Sequence, residues 1–276
     1  MIDRYAVIGN PVAHSKSPQI HAAFARQTGE DIEYTRILAP LDSFRKTLGQ
    51  FIAEGGKGAN VTVPFKLEAF DVAHDVSARA KDARAANFLK FEAGQIYADN
   101  TDGAGLVRDI SINLGFELAG KRVLLMGAGG AAQGVLVPLL EARPAILAIA
   151  NRTVDKALRL AETLRHHPAA MHTVLCGQGF ADLSGQHFDL VINATSSSLS
   201  GELPPLPRGV FASCVLGYDL MYGRQPTPFL RYAREQGAAR VADGLGMLVE
   251  QAAESFFLWR GVRPDTRPVI EELSAA

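Results

Sequence analysis

Between an apolar strand at Val123–Met126 and an apolar helical run ending near Ala142, the chain reads Gly127, Ala128, Gly129, Gly130, Ala131, Ala132. Few folds can use such a segment. It fits G-x-G-x-x-[GA] in a strand–turn–helix setting, and each small residue has a mechanical reason. Gly127 allows the tight turn, Gly129 lets the backbone approach a pyrophosphate, Ala132 lets the helix lie close, and the helix N-terminus offers unpaired N–H groups to an anion. With a further strand at Ala145–Ala150 the segment forms a βαβ unit, the opening of a Rossmann-type sheet that binds a dinucleotide.

The next strand end selects the cofactor. An NAD site would place a carboxylate there for the ribose 2′ hydroxyl, but the chain has Asn151, Arg152 and Thr153. A guanidinium at Arg152 can pair with a 2′ phosphate, with Thr153 and Lys156 beside it at the start of the next helix, so NADP is expected over NAD. The plainer alternative is that Thr153 only caps that helix and Arg152 points into water.

The same βα rhythm runs through the preceding chain: Tyr5–Gly9, Ser17–Gly29, Ile32–Leu38, Asp42–Gly55, Ala59–Val63, a helix from Lys66, an extended pair at Asn87–Phe91 and Gln95–Ala98, and a helix over Gly103–Leu114. Ser17 is placed to cap the first helix, with Pro18 at its first turn and Gly29 closing it. The pattern restarts at Lys121, and strands are expected at Phe188–Asn193 and Phe211–Gly217. Leu245–Trp259 carries Leu245, Leu248, Ala252, Phe256 and Trp259 at helical spacing. The fold class is therefore α/β, an N-terminal βαβ domain (1–102) followed by a doubly wound parallel sheet (103–243) and terminal helices (244–276).

Charge narrows the partners. With 28 basic and 29 acidic residues among 276, the net charge of −1 offers nothing for nucleic acid or an anionic membrane. No apolar run approaches the roughly 20 residues that span a bilayer, and MIDRYAVIGN has neither the basic start nor the apolar middle of a signal peptide. Cys176 and Cys214 read as reduced thiols, and none of the seven histidines falls in a metal-ligand spacing. A cytoplasmic protein acting on a small molecule, without a metal, is expected.

Two clusters in the first domain carry chemistry. In GNPVAHSKSPQIH (9–21), Ser15 and Ser17 lie just ahead of a helix and could anchor a carboxylate. The strand end 60–66, Asn-Val-Thr-Val-Pro-Phe-Lys, delivers Thr62 and Lys66 to one rim, and Asp102 opens a helix after another extended run. Singly, Lys66 is a solvated cation and Asp102 a helix cap. Together they are a cation and an anion at two strand exits of one sheet, where open α/β sheets bind ligands. Hydride transfer to a carbonyl needs one proton at the developing alkoxide, which a lysine oriented by an aspartate can deliver.

GNPVAHSKSPQIH, NVTVPFK, DNTDGAGL, GAGGAA, NRT, NATS, YDLMYGRQPTPFL and DGLGMLVEQA, in that order, resemble the shikimate dehydrogenases over nearly the whole chain. The resemblance implies reversible NADPH-dependent reduction of 3-dehydroshikimate to shikimate, by a monomer or homodimer, with Lys66 as acid and base paired to Asp102. It implies that Ser15 and Ser17 hold the carboxylate, and that Thr62, Asn87, Asp102, Tyr218 and Gln251 hold the ring hydroxyls. The nucleotide would lie on Gly127, Ala128, Gly129, Gly130 and Ala131 and on Asn151, Arg152, Thr153 and Lys156, with Leu216 and Gly244 near the nicotinamide and Asn193–Ser196 lining its site. It also implies that the terminal helix returns to complete the substrate domain. One departure stands out: where the family reads GAxNT, this chain has Arg84, Ala85, Ala86, Asn87, Phe88. That puts ring-hydroxyl preference in question, with quinate as the other substrate. A relative with relaxed substrate or NAD use, and a catalytically silent NADP-binding regulator, are the alternatives.

Overall fold

The computed structural model describes residues 2–195, 197 and 203–275. They divide into two compact units, Met1–Gly105 with Leu248–Ala276, and Leu106–Met247, so both junctions fall inside helices and not in linkers.

The first unit is built on six strands: β1 (Asp3–Gly9), β2 (Ile32–Leu38), β3 (Gly56–Val61), β4 (Asp75–Val76), β5 (Phe88–Glu92) and β6 (Gln95–Asp99), ordered β2-β1-β3-β5-β6-β4. Strand β5 runs antiparallel to both β3 and β6. The βα rhythm does not announce that reversal; its cause is local. Ala93 (φ 49°) and Gly94 (φ 75°) form a two-residue turn with both residues left-handed, the twist a tight hairpin requires.

Helices α1 (Ser17–Thr28), α2 (Phe44–Ala53), α3 (Lys66–Asp71) and α4 (Ala78–Ala83) cover this sheet, and α5 (Asp102–Arg108) leaves it. On one face Ala6, Ile8, Ala59 and Val61 pack with Phe44, Leu48, Phe51 and Phe65. On the other, Ile20 and Phe24 of α1 meet Val249, Ala252 and Phe256. The last three belong to the terminal helix, so burial of their apolar stripe, worth about 1.5–3 kcal/mol for a side chain such as Phe256, holds this helix to the sheet.

The second unit is a six-stranded, wholly parallel sheet: β7 (Arg122–Met126), β8 (Ile146–Ala150), β9 (Val174–Gln178), β10 (Leu190–Asn193), β11 (Leu216–Asp219) and β12 (Arg240–Ala242), ordered β12-β11-β10-β7-β8-β9. Helices α6 (Gly130–Glu141), α7 (Val154–Leu164) and α8 (Pro228–Glu235) follow strands β7, β8 and β11. The strands read as continuous apolar runs because both faces are covered. Val123, Leu125, Leu147 and Ile149 point to one core, and Leu124, Met126, Ala148 and Ala150 to the other. The order reverses between β7 and β10, which puts a topological switch point at the exits of Met126 and Asn193.

One strand lies elsewhere than expected. Phe211–Cys214 is a turn, and β11 begins only at Leu216. Phe211 and Cys214 are apolar because they pack beneath the sheet beside Phe229, not because they pair in it.

Candidate active site

The first unit brings its chemistry to the strand exits. Lys66 opens α3, Asp102 opens α5, and the Lys66 ammonium touches Asp102 Oδ2, both side chains being partly exposed. The other carboxylate oxygen, Oδ1, accepts from Asn87 Nδ2 at 2.7 Å. The same amide group lies 3.0 Å from Thr101 Oγ1 and 3.3 Å from Gln251 Oε1, and Asn87 Oδ1 accepts the Thr101 N–H at 2.8 Å. Asp102 therefore has one oxygen on the lysine and one on an amide that is itself held, so the direction of Lys66 Nζ is set by three linked side chains.

The network continues inward. Ser255, one turn along the terminal α9 (Leu245–Arg260) from Gln251, donates to the Gln251 carbonyl at 3.0 Å and lies 3.3 Å from Thr101 Oγ1. Asn60 Nδ2 donates to Ser255 Oγ at 2.9 Å, and Asn60 Oδ1 accepts from the Tyr34 hydroxyl at 2.8 Å. Burial pushes the Tyr34 phenol well up, against a smaller opposing effect of its hydrogen bond with Ser17. Tyr34 stacks on His21 at 4.1 Å, and burial lowers the pKa of this fully enclosed imidazole to about 3. Tyr34, Asn60 and His21 lie outside the expected site; the signal that could have found Asn60 is its place near the end of β3, two residues before Thr62 at that strand's exit.

Ser15 and Ser17 do come together, with Ser15 Oγ donating to Ser17 Oγ at 3.1 Å. The cap differs from expectation. Lys16 occupies the N-cap position without a side-chain bond, Ser17 is the first helical residue, and Ser15 Oγ accepts the Ser17 N–H at 3.3 Å. Thr62 stands at the exit of β3, its backbone N–H bonded to the Ile8 carbonyl. Phe88, at the departure from the family pattern, turns its ring away from Asn87 onto Trp259 at 5.1 Å, inside the core.

In the second unit the glycine turn follows β7 as expected. Gly127 has φ +110°, and a Cβ there would meet the Ala194 carbonyl oxygen at 3.0 Å, so the position excludes side chains by backbone and by space. Gly129 and Gly130 are exposed, and a Cβ on either would meet nothing within 4 Å. Gly129 is the N-cap of α6 and supplies no capping side chain, which leaves first-turn N–H groups of that helix for an anion. Arg152 and Lys156 are exposed, and neither has an acidic partner among the described residues. Thr153 is the N-cap of α7 but makes no capping bond, while Asn151 Nδ2 donates to the Thr153 carbonyl at 2.9 Å. An open backbone cradle and unpaired cations fit a phosphorylated dinucleotide.

Two expected positions are corrected. Tyr218 is fully buried and donates its hydroxyl to Asp109 Oδ2 at 2.7 Å, so it has none to give a ligand. Leu216 is the first residue of β11 and is buried in the core, at the end of the strand opposite the one where parallel sheets bind ligands. Both positions were taken from the motif resemblance, and neither stands at the strand's exit, which follows Asp219 and not Gly217. The residues that do leave that exit are Leu220, Met221 and Tyr222, all partly exposed; burial and the Asp243 carboxylate push the Tyr222 phenol up. Gly244 sits against the Leu220 backbone, closer than any Cβ would permit. Asn193 is engaged internally, donating to Asp219 at 3.2 Å and accepting from Thr195 Oγ1 at 2.7 Å, and Ser196 lies outside the described residues.

Family models match three successive parts of the chain: the shikimate dehydrogenase substrate binding domain over residues 7–89, shikimate / quinate 5-dehydrogenase over 110–200, and the shikimate 5′-dehydrogenase C-terminal domain over 244–273. The shikimate dehydrogenase (NADP(+)) of Nitrosospira multiformis is 62% identical over 276 residues, covering 100% of this chain and 98% of that protein. The chain belongs to the shikimate dehydrogenase family. Among solved structures of this fold, an Ael1 enzyme from Pseudomonas putida superposes with a TM-score of 0.93 at 56% identity, over 99% of this chain and 98% of that one. The shikimate 5-dehydrogenase of Thermus thermophilus, solved in complex with NADP(H) and shikimate, gives 0.85 at 32% identity over 100% and 99%. No described helix is long and apolar enough to cross a membrane.

Proposed function

We infer that the chain is an NADP-dependent oxidoreductase that interconverts shikimate and 3-dehydroshikimate. The observation that carries this reading is the Lys66–Asp102 pair, locked by Asn87 at 2.7 Å within the family's frame. When bound, NADP supplies the hydride acceptor and NADPH the donor; the proton is the protein's task. In the reducing direction Lys66 Nζ gives its proton to the oxygen that becomes the 3-hydroxyl, and in the oxidising direction Nζ takes it back. Asp102 holds Nζ in place and balances its charge. A lysine held by one carboxylate oxygen, while an amide fixes the other, loses little orientation between turnovers.

Ser15 and Ser17 are assigned to the substrate carboxylate, and Thr62, Asn87, Asp102 and Gln251 to the ring hydroxyls. Tyr222 takes the place expected of Tyr218, and Leu220, beside Gly244, that expected of Leu216, because these residues stand at the true exit of β11. The cofactor's pyrophosphate is assigned to residues 127–131 and its 2′ phosphate to Arg152, with Asn151, Thr153 and Lys156 beside it. Phe88 does not argue for quinate, since its ring packs on Trp259 and not toward Asn87.

The test is Lys66→Ala. Turnover of shikimate with NADP should fall by about 10²–10⁴-fold, with NADPH affinity unchanged. Turnover near the original rate would remove Lys66 from the chemistry.

A further inference from the structure

Behind the catalytic pair lies a line of alternating charge that the reaction as described does not use. Arg263 contacts Glu254, Glu254 accepts from Arg79 Nη1 at 2.9 Å, and Arg79 grips Asp99 with Nη2 at 2.6 Å and Nε at 3.1 Å. Asp99 is 2% exposed and also accepts from Ser77 Oγ at 2.5 Å and from the Asn100 N–H at 2.6 Å. A carboxylate so enclosed is tolerated because a bidentate guanidinium balances it.

What Asp99 holds is the catalytic strand end. Its side chain fixes the Asn100 peptide; Asn100 then clamps the Ala85 carbonyl with Nδ2 at 3.0 Å and the Asp102 N–H with Oδ1 at 3.1 Å. The Asp99 carbonyl accepts the Asn87 N–H at 3.1 Å. Glu254, the other carboxylate on Arg79, lies three residues beyond Gln251 on α9 and next to Ser255. One guanidinium thus joins the strand end bearing Asn87 and Asp102 to the helix bearing Gln251.

We propose that Arg79 is a positioning residue for the reaction, setting Asp102 and Asn87 through Asp99 and Gln251 through Glu254. The inference rests on the assignment of Lys66 and Asp102 made above. Lysine at this position keeps the charge but cannot grip both oxygens of Asp99 and reach Glu254 as well.

Arg79→Lys and Asp99→Asn in the full chain, beside Lys66→Ala, test it by steady-state oxidation of shikimate with NADP, rates being divided by the folded fraction from circular dichroism. Arg79→Lys should lower kcat by about 10–100-fold, as expected for a small misplacement of the catalytic group, while KM for shikimate moves less than about threefold and NADPH affinity stays the same. Asp99→Asn should show the same split, and gives the reading if the lysine variant folds poorly. A kcat for both variants at the original value per folded molecule, with Lys66→Ala silent, overturns the positioning role alone. An active Lys66→Ala would instead overturn the assignment beneath it.

Discussion

The substrate-side and nucleotide-side residues use opposite strategies. On the substrate side polar side chains are committed to one another before any ligand arrives: Lys66 to Asp102, Asp102 to Asn87, Asn60 to Tyr34 and Ser255. On the nucleotide side the working parts are bare, namely exposed glycines ahead of α6 and an Arg152 with no acidic partner among the described residues. The difference follows from what each must do. A proton has to move at one atom, so its carrier must be oriented in advance; a dinucleotide brings its own charges and needs only donors and cations to receive them. Damage on the first side should therefore appear in kcat, and on the second in cofactor affinity.

The sharpest way to break that contrast is Asp102→Asn. The variant keeps the shape but removes the charge that holds Lys66 and sets an amide against the Asn87 amide. We expect kcat for shikimate to fall by about 10²–10³-fold with NADPH affinity unchanged. A loss appearing instead in cofactor affinity would erase the division of labour. The matching change on the other side is Arg152→Ala. Losing one exposed charge-assisted contact should weaken NADPH by about 10-fold or more and leave NADH almost untouched. Equal losses for the two cofactors, measured by fluorescence titration, would remove the phosphate clamp.

The enclosed side should also be sensitive to acid. His21 is fully buried and neither ring nitrogen meets a partner at hydrogen-bonding geometry; desolvation, opposed only weakly by the nearby Asn60 side chain, lowers its pKa to about 3. The unfolded chain protonates this imidazole near pH 6.5 and the folded chain does not, so its contribution to stability is complete above that value and is lost as the pH falls towards 3. At pH 5 the loss is about 2 kcal/mol. Comparing urea midpoints at pH 7 and pH 5, His21→Phe should show a smaller drop than the parent; an equal drop would mean that His21 is not the group taking up the proton.

The fold class was legible because its signals are local. The glycine turn lies inside a βαβ pattern, and strands buried on both faces, such as Val123–Met126 and Ile146–Ala150, read as apolar runs. What the sequence concealed was tertiary. Phe211 and Cys214 are apolar for packing from a turn and read falsely as strand, and the motif resemblance put Tyr218 and Leu216 in the site although the exit of β11 lies beyond Asp219. The reversal of β5 hangs on two left-handed residues, Ala93 and Gly94. Lys66 and Asp102 were visible as chemistry although their meeting spans 36 residues, because both stand at strand exits of one sheet, and the motif resemblance then gave the pair its role. Tyr34 carried no sequence signal and His21 only its place at the end of the 9–21 motif, since an aromatic and a histidine on the faces of β2 and α1 look like ordinary core.

The smallest effect concerns the departure from the family pattern, and it tests how much the paired side depends on its turns. Arg84 closes α4 in a left-handed conformation, φ 49° and ψ 34°, which costs a residue with a Cβ about 1–2 kcal/mol. Its N–H still reaches the Lys81 carbonyl at 3.2 Å, and the following Ala85 carbonyl receives Asn100 Nδ2 at 3.0 Å, so the turn feeds directly into the segment that sets Asn87 and Asp102. The Arg84 side chain is exposed and forms no ion pair among the described residues. Arg84→Gly removes the steric cost, while the added freedom of glycine in the unfolded chain offsets part of the benefit, leaving a net gain of about 0.5–1 kcal/mol. A urea midpoint raised by that amount, with kcat unchanged, would show that the network tolerates strain at its border because its own bonds over-determine it. A lower midpoint would mean that the arginine side chain itself supports the turn, and the ordered side of the molecule would then begin at α4 and not at Asn87.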